Sequence, residues 1–179
     1  MHDFLLSPDE IHVWRSGLDG SPEKLREYRD LLSEDERARA DRLLREADRT
    51  HFTFARALLR RLVGAYLQAT PASLKFSYAS QGRPYLIGNF SRPIPDFNLA
   101  HSSGTALFAF AIGREVGVDI EFIREPVDEA AIARRYFHPE EAAALLALPN
   151  AERSREFFRL WTRKEAYLKA GGEGVSGMG

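Results

Sequence analysis

Between Ala106 and Phe122 the sequence sets two strand patterns end to end, and they are of opposite kinds. Ala106 to Ile112 is almost wholly apolar, as in a strand buried on both faces. After Gly113-Arg114-Glu115 the residues alternate: Val116, Val118, Ile120 and Phe122 are apolar, while Gly117, Asp119 and Glu121 are not. A side-chain period of two puts Asp119 and Glu121 side by side on one face and the apolar set on the other. The pattern predicts a strand here whose two carboxylates form either an ordinary solvated face or, because a buried strand immediately precedes them, a pair close to the core. Further strand patterns lie at Ile11–Trp14, Leu74–Tyr78, Pro84–Leu86 and Phe97–His101. Ser80-Gln81-Gly82 and Ser102-Ser103-Gly104 read as turns, and residues 91–96 as a proline-containing loop. Several of these connections are too short for helical crossovers, so the strands are expected to pair antiparallel.

Helices fill the rest. Ser21-Pro22 starts one with a capping residue and proline at the first position. Ser33 followed by Glu36 is a capping box that opens a second, expected to run to about Glu46. A longer one spans roughly Arg49 to Gln68 and stops before Thr70-Pro71, with Phe54, Ala57, Leu58, Leu62 and Ala65 on its core face. Arg37, Arg39, Arg42, Arg45, Arg49, Arg56, Arg60 and Arg61 crowd this region and are read as a wet face. Asp128 caps a helix to Tyr136, Pro139 begins one that ends near Pro149, and the last runs from about Glu152 to Ala170 before Gly171-Gly172. The class is α+β.

Phe158, Trp161, Glu165 and Leu168 share one side of that last helix, and Glu165 and Lys169 are neighbours at i,i+4. A glutamate on a partly apolar face needs a partner, because a buried unpaired carboxylate is costly. A cation shared with Asp119 and Glu121 would satisfy it, and so would an ion pair with Lys169. His101 stands at a strand end beside Ser102 and Ser103, whose hydroxyl and backbone donors suit a phosphate. Arg83 follows the turn at Gly82, where its fork also suits a phosphate.

Bulk properties remove other classes. The chain has 179 residues, 44% of them apolar and 28% charged, a net charge of −1 and no cysteine. That excludes zinc–thiolate and cysteine-nucleophile chemistry and argues against a general nucleic-acid coat. No run is long enough to span a membrane, and Met1–Phe4 lacks a signal peptide's basic start, so the reading is a cytoplasmic protein. No Gly-x-Ser-x-Gly elbow, Walker-type loop or Gly-x-Gly-x-x-Gly loop occurs.

Val116-Gly117-Val118-Asp119-Ile120-Glu121 followed by Trp161-Thr162-x-Lys164-Glu165-Ala166-x-x-Lys169 resembles the paired signature of the 4′-phosphopantetheinyl transferases. Phe97-Asn98-Leu99-Ala100-His101-Ser102, Gly82-Arg83-Pro84-Tyr85 and Phe54–Arg60 resemble segments of the larger, surfactin-synthetase-type members, in the same order. The resemblance implies two α/β halves related by a pseudo-twofold axis, with mainly antiparallel sheets, here residues 1–112 and 113–179. It implies transfer of 4′-phosphopantetheine from coenzyme A to a serine of an apo acyl or peptidyl carrier protein, by a monomer acting on neither nucleic acid nor membrane. By motif position Asp119, Glu121 and Glu165 would hold Mg²⁺, a hard ion suited to oxygen ligands. Glu165 would serve as base and Lys169 would neutralise the pyrophosphate. Arg83, His101 and Ser102 would meet the phosphate and adenosine end of coenzyme A, together with Arg39 and Arg42, and Lys164 would make a further contact.

Surfactin-type members continue with more strands beyond the region where this sequence stops, so the second half is expected to be incomplete, with exposed edges and apolar surface. Two other readings stay open: an inactive paralogue that binds coenzyme A or a carrier protein, and a Mg²⁺-dependent phosphodiesterase built on the same acids.

Overall fold

A computed structural model describes residues 4–79, 82–123 and 127–172. The strand β1 (Ile11–Gly17) is followed by helices α1 (Pro22–Asp30), α2 (Glu34–Asp41) and α3 (Glu46–Leu67) and a short 3₁₀ turn (Pro71–Ser73). Strands β2 (Lys75–Tyr78), β3 (Pro84–Ile87), β4 (Asp96–Ser102) and β5 (Thr105–Ala111) come next, then helices α4 (Glu129–Tyr136), α5 (Pro139–Leu146) and α6 (Asn150–Ala170). The fold is α+β. Strands β1, β5 and β4 form one antiparallel sheet in that order, and β2 and β3 form a separate hairpin. The turn expected at Ser80-Gln81 lies outside the described residues.

The core sits between α3 and one face of the larger sheet. Phe54, Ala57, Leu59 and Val63 of α3 pack with Phe97 of β4 and with Ala106, Phe108 and Phe110 of β5. A smaller cluster of Phe137, Leu145, Phe157 and Phe158 closes the α4–α6 helices on one another. The second helix ends earlier than expected, at Asp41. Leu43 and Leu44 leave the helical path, their carbonyls take hydrogen bonds from Arg49, and the chain re-enters a helix at Glu46.

Two expectations are corrected. First, Arg56 and Arg60 are not on a wet face: both are buried, as is Glu36. Glu36 Oε1 accepts from Arg56 Nε and Nη2 at 2.9 and 2.6 Å, and Oε2 accepts from Arg60 Nε at 2.7 Å and from the Ser33 N–H at 3.1 Å. The glutamate that completes the capping box is thus also the anion that neutralises two core arginines.

Second, residues 115–123 are not a strand. The segment runs along β4, but its N–H groups go to side chains rather than to a backbone ladder. The N–H of Val116 donates to Asp96 Oδ2 at 2.6 Å, that of Val118 to Asn98 Oδ1 at 3.2 Å and that of Phe122 to Ser102 Oγ at 3.1 Å. Asp96, Asn98 and Ser102 share one face of β4 by the strand's period of two. Asp96 and Asn98 lie opposite Ala111 and Ala109, and it is against those alanines that Val116 and Val118 pack. The segment therefore lies over the second face of the sheet instead of extending its edge. Farther along that face, beside Ala111 and Ala109, Ile11 and Val13 are 52% and 57% exposed.

Candidate active site

A cleft of about 520 Å³ opens where α3, the β2–β3 hairpin, β4 and the end of α6 meet. Its walls include Arg39, Arg56, Tyr78, Arg83, His101, Glu165 and Lys169. Five residues singled out in the sequence therefore share one cavity, although they come from positions 39 to 169.

The acidic segment does not line the cleft itself, but it lies against the end of α6 beside it, and it can do so because residue 117 is glycine. A Cβ there would lie 1.9 Å from the Ala166 carbonyl oxygen and 2.5 Å from the Ala170 nitrogen, so the segment rests directly on the backbone of α6. Two residues further on, Asp119 Oδ1 meets Lys169 Nζ at 2.5 Å. The Asp119 side chain is only 5% exposed. The lysine thus pairs with Asp119, not with its helical neighbour Glu165. Two carboxylate oxygens, Asp119 Oδ2 and Glu165 Oε1, are buried with no hydrogen-bond partner. Burial raises the pKa of Glu165; Lys169 opposes the rise, and the negative charges of Asp119 and Glu121 add to it. Glu121 itself is exposed and takes a hydrogen bond from Ser102 Oγ at 3.3 Å.

Among the described residues no group of three such side chains already stands gathered as a metal cage. The donor set still suits a hard divalent ion: all its atoms are oxygens, and two are buried without a partner. Asp119, Glu121 and Glu165 are the residues that would hold it.

On the cationic side, the Arg39 guanidinium lies 5.5 Å from the centre of the Phe52 ring and 5.7 Å from that of Tyr78. Arg56 donates to Tyr78 Oη at 3.1 Å while anchored by Glu36. His101 is accessible from the cleft, yet the surrounding atoms desolvate its ring enough to lower its pKa. The charges of His51 and Lys169 lower it further, against Asp48.

Four of the expected contacts are placed otherwise. Arg42 caps α2, is exposed and donates to the Ala38 carbonyl, away from the cleft. Lys164 pairs with Glu141 at 2.6 Å and lies over the Phe137 ring, as its position next to Glu165 on a helix dictates. Ser102 is occupied by Glu121 and Phe122. Arg83 lines the cleft, but both its terminal nitrogens are engaged by protein acceptors: Nη1 by the Lys169 and Ala170 carbonyls, and Nη2 by Asp96 and the Phe97 and Val116 carbonyls. Sequence reading missed Asp96 and Asn98 as anchors and Arg56 as a cleft residue. The glycine within the alternating run was a sign of close backbone approach.

Residues 18–111 match the family model described as 4′-phosphopantetheinyl transferase, N-terminal, and residues 115–179 match that of the 4′-phosphopantetheinyl transferase superfamily. The chain is 42% identical over 171 residues to the 4′-phosphopantetheinyl transferase HetI of Nostoc sp., covering 96% of this chain and 72% of that protein. It is 31% identical over 155 residues to psf-1 of Bacillus pumilus, covering 86% and 63%. To Sfp of Bacillus subtilis it is 28% identical over 158 residues, covering 87% and 67%. The chain thus spans roughly two thirds of these relatives. With both halves of the sequence matched, and most of HetI covered, the chain belongs to the 4′-phosphopantetheinyl transferase superfamily.

Proposed function

We propose that the cleft takes coenzyme A and that the chain transfers its 4′-phosphopantetheine group to a serine hydroxyl of an apo acyl or peptidyl carrier protein, with Mg²⁺ as the required ion. The observation that carries this reading is the convergence on one cleft of Arg39, Arg56 and His101 with Glu165 and Lys169, the last of which holds Asp119. Arg39 and Lys169 would receive the phosphates of the substrate, His101 would contribute a hydrogen bond from a ring whose neutral form is favoured, and carboxylates would receive the ion.

In the reaction the serine oxygen forms a bond to the phosphorus that carries phosphopantetheine. The bond from that phosphorus to the bridging oxygen breaks, and adenosine 3′,5′-bisphosphate leaves with the electron pair. The serine proton passes to Glu165 or to a water it orients, and its raised pKa brings the carboxylate closer to the working range of a base. Lys169 offers a point charge to the pyrophosphate, and Arg39 and His101 orient the far end of the substrate. Asp119, Glu121 and Glu165 would hold Mg²⁺, which when bound would supply neutralisation of the pyrophosphate charge. The proposed setting is the cytoplasm, with the chain acting as a monomer; among the described residues no helix is long and apolar enough to cross a membrane.

The test is an intact-mass measurement on an apo carrier protein incubated with coenzyme A, Mg²⁺ and the chain. A gain of the phosphopantetheine mass, lost in Glu165→Gln, is expected. A second reading, binding without turnover, is favoured by Lys169 Nζ sitting on Asp119 Oδ1, where a cation would bind. Calorimetry that shows coenzyme A binding, with no mass gain, would decide for that reading.

A further inference from the structure

We infer that Asp96, acting with Arg83, is a positioning pair that sets the spacing between the acidic segment and the end of α6. The inference rests on reading Asp119, Glu121, Glu165 and Lys169 as the reacting site. Asp96 Oδ2 accepts from the Val116 N–H at 2.6 Å and from Arg83 Nη2 at 2.8 Å, while Oδ1 accepts from the same nitrogen at 2.9 Å. Arg83 Nη2 also reaches the Val116 carbonyl at 3.3 Å, so both backbone polar groups of Val116 end in this one ion pair. Arg83 Nη1 donates to the Lys169 carbonyl at 2.9 Å and to that of Ala170 at 3.2 Å. Those are among the last carbonyls of α6, left without helical donors and carrying the negative end of its dipole, where a guanidinium is well placed.

These contacts close a ring. From Arg83 it passes to the Lys169 backbone, along the lysine side chain to Asp119, back along the chain to Val116, and through Asp96 to Arg83. Lys169 is held at both ends, its carbonyl by Arg83 and its Nζ by Asp119. Residues 115–123 have no backbone ladder of their own, so the first anchor of the segment falls to Asp96. The role differs from a direct phosphate contact by Arg83, because its terminal nitrogens already face protein acceptors.

The full chain is compared with Arg83→Lys, Asp96→Asn and Asp96→Ala by Mn²⁺ binding in electron paramagnetic resonance, by amide hydrogen exchange at Val116, and by kcat and KM for coenzyme A. A cooperative thermal melt certifies each fold. Asparagine keeps an oxygen for the Val116 N–H but loses the charge, and alanine loses both. Expected are Mn²⁺ affinities weakened by about tenfold or more in Arg83→Lys and Asp96→Ala, the scale on which metal sites respond when an outer partner is removed. Val116 exchange should accelerate in Asp96→Ala and much less in Asp96→Asn, with kcat lowered and KM unchanged. A raised KM with intact Mn²⁺ affinity in Arg83→Lys would make Arg83 a ligand contact and overturn the inference. So would unchanged Val116 exchange in Asp96→Ala or, where that variant does not fold, unchanged exchange in Arg83→Lys. If the unaltered chain neither binds Mn²⁺ nor turns over, the reading of the site falls, and the exchange result alone still decides whether the pair fixes the segment.

Discussion

Replacing Gly117 by alanine would put one methyl carbon where the backbone of α6 already is. The added Cβ would lie 1.9 Å from the Ala166 carbonyl oxygen, 2.5 Å from the Ala170 nitrogen and 3.0 Å from the Ala166 carbonyl carbon. None of these is the end of a flexible side chain that can swing aside. Carbon–oxygen contacts settle at about 3.3–3.6 Å, so segment and helix must separate by about 1.5 Å. Overpacking of this kind typically costs about 1–3 kcal/mol, a drop in Tm of several degrees for a chain of this size. The larger effect falls on the site. Asp119 and Lys169 meet at 2.5 Å across the same contact, and a shift of that size parts them. Misplacing a reacting group by about 1 Å costs on the order of a hundredfold in rate, or roughly 2.7 kcal/mol in the barrier. Gly117→Ala should therefore melt cooperatively a few degrees early and transfer phosphopantetheine about a hundredfold more slowly. Gly17→Ala, with nothing within 4 Å of the new carbon, is the matched control. A normal melt and a normal rate in Gly117→Ala would refute the close approach. A lowered melt with an unchanged rate would reduce it to packing without a bearing on the site.

Removing the anion from the buried Arg56–Glu36–Arg60 cluster by Glu36→Ala leaves two core guanidiniums uncompensated, and a loss of about 3–5 kcal/mol in urea unfolding is expected; less than about 1 kcal/mol would contradict it. Burial pushes the Glu36 pKa up, but the two arginines together outweigh it and hold the carboxyl below its ordinary value. Its stabilisation is thus present above the unfolded-state pKa and is lost as pH falls through the folded value, so acid titration of stability should be less steep in the alanine variant. Glu165 has the opposite sign: with its pKa raised, the stability it contributes is complete below the ordinary carboxylate range and is lost as pH rises through the raised value. Glu165→Gln should therefore be more stable than the unaltered chain at neutral pH while inactive in transfer; equal or lower stability there would show that the carboxylate is not strained. Lys164→Ala removes a partly exposed pair with Glu141 and should change stability by less than about 1 kcal/mol with KM for coenzyme A unchanged, whereas a raised KM would return Lys164 to the binding site.

Patterns that live within a few residues were legible in the sequence. The capping box at Ser33 and Glu36, the proline start of α1, the Asp128 cap and the apolar β5 all depend on local rules, and all occur. Glu165 and Lys169 at i,i+4 read correctly as helical neighbours, but which acid the lysine would choose depends on a segment fifty residues away. The alternation from Val116 to Phe122 did predict that Val116 and Val118 pack inward, but it failed at Phe122, which is 57% exposed. It could not tell a strand from a segment that borrows its acceptors from Asp96, Asn98 and Ser102, since both have the same side-chain period. The buried arginines were illegible for a related reason. Arg56 and Arg60 look like solvent-facing helix formers until Glu36, twenty and twenty-four residues earlier, is seen to meet them inside.

The choice of Lys169 by Asp119 also clarifies what the proposed ion would have to balance. Asp119, Glu121 and Glu165 carry up to three negative charges when ionised, and Lys169 offsets one, leaving a deficit of two that a divalent cation matches. The unpartnered oxygens lie on the two most enclosed acids, Asp119 and Glu165, while the exposed Glu121 already has Ser102 as a donor. The unmet demand is therefore concentrated between the acidic segment and α6, the two elements joined by Gly117, Asp96 and Arg83. Lys169 is tied to both sides of that seam: its carbonyl is fixed by Arg83, and its ammonium is held on Asp119 through a single contact, the one of the two that an arriving ion would compete for. A cation arriving at Asp119 would release that ammonium toward the cleft it already lines, where a phosphate would receive it. Lys169→Gln should accordingly bind Mn²⁺ more tightly than the unaltered chain while losing transfer, because the internal competitor is gone together with the phosphate contact. Weaker Mn²⁺ binding in that variant would show instead that the lysine supports the acids rather than standing in for the ion.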